Sequence, residues 1–253
     1  MRPGPCLALV SLLFVLAPCR AQDFVQDTWS SLYLATQLAQ QQRSACAELD
    51  PALGPGLDAA LARLHEAHGA GVQAGRAAAE RRSGPDGVDP VGRSVAERYA
   101  RRWQGKDAEG RRAECAALVT HLETHAGRSR RELVEPTFRK WFARQQAQRQ
   151  IRCASLDGAA RTLARRLLAG EDMAAQALRA DAKMAERAAA WCQQVQAVAG
   201  REDIAVPGNF ALIRETARAI SEAAMPALAR DPSRARANGR ASARRFLAEP
   251  DWL

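Results

Sequence analysis

DFVQDTWSSLYLATQLAQQQRSACAELD, residues 23–50, contains neither proline nor glycine, and Phe24, Val25, Trp29, Leu32, Leu38 and Cys46 recur in it at roughly helical spacing. Asp50-Pro51 then closes the pattern. One long amphipathic helix ending at a cysteine is thereby predicted, and the rest of the chain repeats the theme.

Downstream, a second helix is expected from Gly56 to about Arg82, with a bend at Gly69-Ala70-Gly71. Residues 83–90, SGPDGVDP, carry the strongest loop signal. Helices follow from Arg93 to Trp103 and from Asp107 to Ala126, the second capped by Asp107. Another begins near Glu135-Pro136 and runs through Phe138, Trp141, Phe142, Ile151 and Cys153 to Asp157-Gly158. A short helix around Thr162–Leu168, a long one from Asp172 to Ala199 and one from Asn209 to Ala224 complete the pattern. Aromatic residues make up only 5% of the chain and β-branched ones are sparse, which disfavours an extensive sheet. The expected fold class is all-α.

Upstream, Arg2 precedes an unbroken apolar run from Leu7 to Ala17. That is the layout of a secretory signal peptide, too short for a comfortable permanent span, with cleavage expected after Ala21. A lipid anchor at Cys19 is the weaker reading, because Pro18 stands where a small residue is expected. No later segment is long and apolar enough to cross a membrane. The mature chain is expected to be soluble and extracytoplasmic, either periplasmic or secreted.

Cleavage removes Cys6 and Cys19 and leaves Cys46, Cys115, Cys153 and Cys192. An even number in an oxidising compartment favours two disulfides over free thiols, and the absence of any CxxC removes the main support for structural zinc. Cys46-Ala47-Glu48-Leu49-Asp50 and Cys153-Ala154-Ser155-Leu156-Asp157 resemble one another, which raises the possibility of two duplicated halves against that of a chance match. The simplest pairing joins Cys46 to Cys115 and Cys153 to Cys192; two other pairings are open. The expected organisation is a signal peptide over 1–21, disulfide-stabilised helical bundles over 22–127 and 128–226, and a basic tail over 227–253.

The tail holds Arg230, Arg234, Arg236, Arg240, Arg244 and Arg245 among small polar residues and is expected to be mobile or loosely helical, with a solvated helix pinned by Phe246 and Trp252 as the alternative. With a formal net charge of +9, the chain suits an anionic envelope component, through peripheral contact with a membrane for instance, or an acidic protein. Nucleic acid is disfavoured by export and by the lack of a reading module.

All four histidines fall in two pairs at helical spacing, His65 with His68 and His121 with His125. Two packed helices carrying such pairs could offer four nitrogens to a transition metal, although neither segment matches HExxH. The acid pairs Glu132/Glu135 and Glu48/Asp50 serve helix ends as readily as proton transfer. Trp29, Trp103, Trp141 and Trp191 read as core anchors. No phosphate loop, dinucleotide fingerprint or GxSxG occurs. The leading expectation is therefore a non-enzymatic, cofactor-free binding or scaffold protein. A histidine-based metal-binding protein is the first alternative, and a hydrolase with an unrecognised acidic site the second.

Overall fold

In the computed structural model, residues 23–83, 89–170 and 175–250 are described; the expected signal peptide and Trp252 lie outside them. The described residues form nine α-helices and no strand. Contacts divide the chain into two units, Met1–Lys140 and Trp141–Leu253, with the division inside one helix.

In the first unit, α1 (Asp23–Leu49) and α2 (Leu53–Arg82) form a hairpin. Asp50 Oδ1 accepts the Ala52 amide at 2.9 Å and organises the tight turn. Arg43 pairs with Asp58 near the turn, and Trp29 meets Gly71 and Gly75 far from it, so the helices run antiparallel. A Cβ on Gly71 would fall within the Trp29 ring, and one on Gly75 would strike the Trp29 carbonyl. Gly71 is thus a point of close approach, whereas the kink in α2 lies at His68 (φ −135°, ψ 22°).

The unit continues with α3 (Pro90–Gln104) and α4 (Ala108–Ala126). Asp89 caps α3, and Asp107 caps α4 by accepting the Gly110 amide at 2.8 Å. The next helix, α5 (Arg130–Arg149), starts earlier than expected. Ser129 and Glu132 form a reciprocal capping box, and Pro136 is carried inside the helix. Phe24, Trp29, Leu57, Leu64, Leu122 and Phe138 are buried in this unit, with Phe24 and Phe138 edge to face at 5.0 Å. A disulfide joins Cys46, in the last turn of α1, to Cys115 in α4.

α5 ends at Arg149, before the expected Cys153, because Gln150 turns into the left-handed region at φ 54°. Cys153 opens a 3-10 turn and is bonded to Cys192 in the second unit's long helix. That unit comprises α6 (Leu156–Ala169), α7 (Ala175–Gly200), α8 (Phe210–Ala224) and α9 (Pro232–Ala248). Leu163, Leu167, Leu178, Ala182, Ile220 and Ala243 meet in one core drawn from all four helices.

Over its described residues the basic tail is a capped and packed helix with Phe246 buried, which is the alternative reading of this segment rather than the mobile or loosely helical one. Pro232 occupies the first turn of α9, and Asp231 caps it by accepting the Arg234 amide at 3.0 Å. Its inner face is Ala235, Gly239, Ala243 and Phe246. A Cβ on Gly239 would collide with Ala223 and with the Ala219 carbonyl. The helix therefore buries area by close backbone approach rather than through large side chains, and close packing offsets the ordering entropy.

Candidate functional site

Burying one face of α9 sends its arginines to the other. Arg234, Arg236, Arg240, Arg244 and Arg245 are all exposed, and Arg230 is exposed just ahead of the helix. Arg236, Arg240 and Arg244 stand four residues apart, which places them along one stripe with about 6 Å of rise between neighbours. Arg245 pairs with Glu215 at 2.9 Å, whereas the stripe has no ion pair among the described residues. Beside it, a cavity of about 420 Å³ is lined by Leu167, Gly170, Leu178, Ala223, Arg236 and Arg240.

Both ends of the helix are tied down. At the far end, the buried Arg161 guanidinium reaches across from α6 and donates through Nη2 to the Glu249 and Pro250 carbonyls at 3.0 and 2.9 Å. Its Nε bonds Asp157 at 2.7 Å, and its carbon stands 5.3 Å from the centre of the Phe246 ring. Sequence reasoning missed Asp157 and Arg161, because a charged pair at this spacing ordinarily marks a solvated helix face.

The disulfides take up the cysteines in the simplest of the expected pairings, Cys46 with Cys115 and Cys153 with Cys192. Compared with known proteins, the chain matches no family model, no curated protein and no solved structure. Its chemistry must therefore be read from these residues alone.

The histidines are only partly brought together. His68 Nε2–H donates to the His125 carbonyl at 3.1 Å, bridging α2 to the last turn of α4. His125 Nδ1–H donates to the His121 carbonyl at 2.7 Å, and the His121 and His125 rings lie 4.1 Å apart. His65 instead turns its Nδ1 to the Leu61 carbonyl within its own helix. Among the described residues no three His, Cys, Asp or Glu side chains are grouped as a metal site. Partial desolvation of the His121 ring, whose side chain nevertheless stays accessible, then His125 and Arg128, lowers its pKa from the ordinary histidine value.

The acid pairs are engaged at helix ends and in ion pairs. Glu132 belongs to the α5 capping box, and the Ser129 amide and hydroxyl keep its pKa low. Glu135 lies between Arg139 and Arg131, whose hydrogen bonds lower its pKa from the ordinary carboxyl value. Asp50 serves the α1–α2 turn, and Glu48 is exposed. Trp29 is buried, while Trp103, Trp141 and Trp191 are only half-buried; Arg111 faces Trp103, and Arg149 faces Trp191. Trp103 and Trp191 thus anchor helix surfaces and leave part of each ring face to a guanidinium.

Proposed function

We propose that the chain is exported, cleaved after Ala21, and acts as a non-enzymatic helical binding or scaffold module of the cell envelope or extracellular space, engaging an anionic partner through α9. The observation that carries this reading is the outward row Arg236, Arg240 and Arg244 on a helix fastened at both ends. Guanidinium groups are suited to two-pronged contact with phosphate or carboxylate. Holding their backbone in place lowers the ordering cost of binding, which separates this row from a charge run on a flexible tail.

Export is supported by Arg2 followed by the apolar run Leu7–Ala17, and by the two cystines, which suit an oxidising compartment. Duplication of an ancestral half is supported by two similar pentapeptides, which differ only at Glu48 and Ser155 and each open with one cysteine of their own unit's disulfide. Among the described residues no helix is long and apolar enough to cross a membrane.

The test replaces Arg236, Arg240 and Arg244 together by glutamine and measures co-sedimentation with phosphatidylglycerol vesicles and retention on a sulfated polysaccharide resin. Wild type should bind at low ionic strength and release as salt rises, whereas the variant should lose most binding at unchanged helix content. Equal retention of the two proteins on both supports removes α9 from the reading. Mass measurement of the exported protein should find Gln22 at its start, and a cytosolic precursor with titratable thiols would refute export.

A further inference from the structure

The histidines of the first unit hold chemistry that an anion-binding face on α9 does not use. Side chains four residues apart on a helix stand over the same face, and the His121 and His125 rings do so at 4.1 Å with a tilt of 41°. His121 is exposed and His125 half-buried, so the pair can be reached from solvent.

One hydrogen bond settles which nitrogen of His125 is free. A carbonyl can only accept, so the bond from His125 Nδ1 to the His121 carbonyl places the proton on Nδ1 and leaves the Nε2 lone pair available. A backbone bond of this kind commonly fixes ring orientation and raises basicity in metal-bound imidazoles. From the neighbouring helix, His68 donates to the His125 carbonyl and steadies the turn that carries the pair.

We propose that His121 and His125 form a two-imidazole chelate for a divalent transition metal, with copper(II) held most tightly. Imidazole ligands suit copper, nickel and zinc, and affinity along that series peaks at copper(II). Bonds of about 2.0–2.1 Å to zinc, or similar ones to copper, require only that the two rings turn their nitrogens toward a common point. Glu123, between the two histidines in sequence, is engaged by Arg63 and does not supply a third ligand. The remaining coordination positions belong to water. Arg128, whose charge acts on His121, moderates the affinity of a dication.

The experiment titrates the untagged mature chain near neutral pH with copper(II) and, separately, with zinc. Binding is followed by calorimetry, and the copper complex by electron paramagnetic resonance. One ion per chain, copper tighter than zinc and a nitrogen coupling pattern from two imidazoles are expected. His121→Asn and His125→Asn should each weaken copper binding by more than about tenfold, while His65→Asn should leave it unchanged. Both ligands lie on the accessible face of α4, and circular dichroism of each variant checks that its fold is kept. If a variant fails that check, the nitrogen coupling of the wild-type complex decides. No one-to-one binding, a wild-type signal lacking two-imidazole coupling, or equal affinity in a folded His121→Asn or His125→Asn variant would overturn the proposal.

Discussion

Each half of the molecule closes one disulfide, yet the two halves fill their interiors differently. The first buries Phe24, Trp29, Tyr99 and Phe138 among leucines. The second has Phe210 and Phe246, but the core shared by its four helices is largely leucine and alanine, with Ala164, Ala182, Ala185, Ala217, Ala223 and Ala243 buried in it. Small side chains remove less apolar area from water per residue, so such helices must either approach more closely or find other bonds. The second half does both, through Gly239 and through the buried Asp157–Arg161 pair.

The largest expected effect comes from the covalent links. The bonds span sequence separations of 69 and 39 residues. In the chain-entropy account, removing them costs about 4.5 and about 4 kcal/mol respectively. Paired serine replacements at Cys46/Cys115 and at Cys153/Cys192 should therefore lose similar free energy with different consequences. Hydrogen exchange should show α6–α9 losing protection in the second variant more completely than α1, α2 and α4 do in the first. The reverse order would mean that the alanine-rich half is the better packed of the two.

Next comes the buried ion pair. Arg161→Met leaves Asp157 buried without its partner, and Asp157 Oδ1 already lacks a hydrogen bond. Breaking a buried pair in this way costs about 3 kcal/mol or somewhat more. Adding Asp157→Leu should recover much of the loss, because the uncompensated charge disappears. Denaturant titration of the single and double variants gives the comparison. No recovery in the double variant would point to the carbonyl contacts at Glu249 and Pro250 as the important part of Arg161.

Sequence reading succeeded where the deciding interaction is local. Asp107 and Asn209 cap their helices from positions that periodicity marks. α5 starts ahead of the position expected from the proline at 136, because the Ser129-x-x-Glu132 capping box, which that expectation did not use, sets its first turn. α9 was legible only as the alternative to a mobile tail, for a different reason. A count of large apolar residues does not register burial through Ala235, Gly239 and Ala243, and the helices they meet are distant in sequence. The histidine spacing was legible as pairs. Only the packing of α2 on α4 shows that His68 reaches a carbonyl while His65 turns to its own helix.

The close-approach glycines give the smallest and most discriminating comparison. Alanine at a helix interior ordinarily stabilises by up to about 1 kcal/mol relative to glycine, and overpacking costs about 1–3 kcal/mol, so the net loss expected for Gly75→Ala or Gly239→Ala is about 1–2 kcal/mol. At Gly75 the new methyl strikes the backbone of Trp29, on a helix tied by Cys46 to α4. The strain there must be absorbed with α1 still tethered. At Gly239 it strikes the Ala223 methyl and the Ala219 carbonyl, and α9 has no disulfide of its own. That strain can be relieved by lifting one helix. Limited proteolysis should consequently cut the Gly239→Ala variant within α9 before any global unfolding, and Gly75→Ala should show no matching early cut in α1 or α2. Ala223→Gly combined with Gly239→Ala should restore resistance, because the methyl that α9 meets is then gone. If it does not, the Ala219 carbonyl sets the distance between α8 and α9.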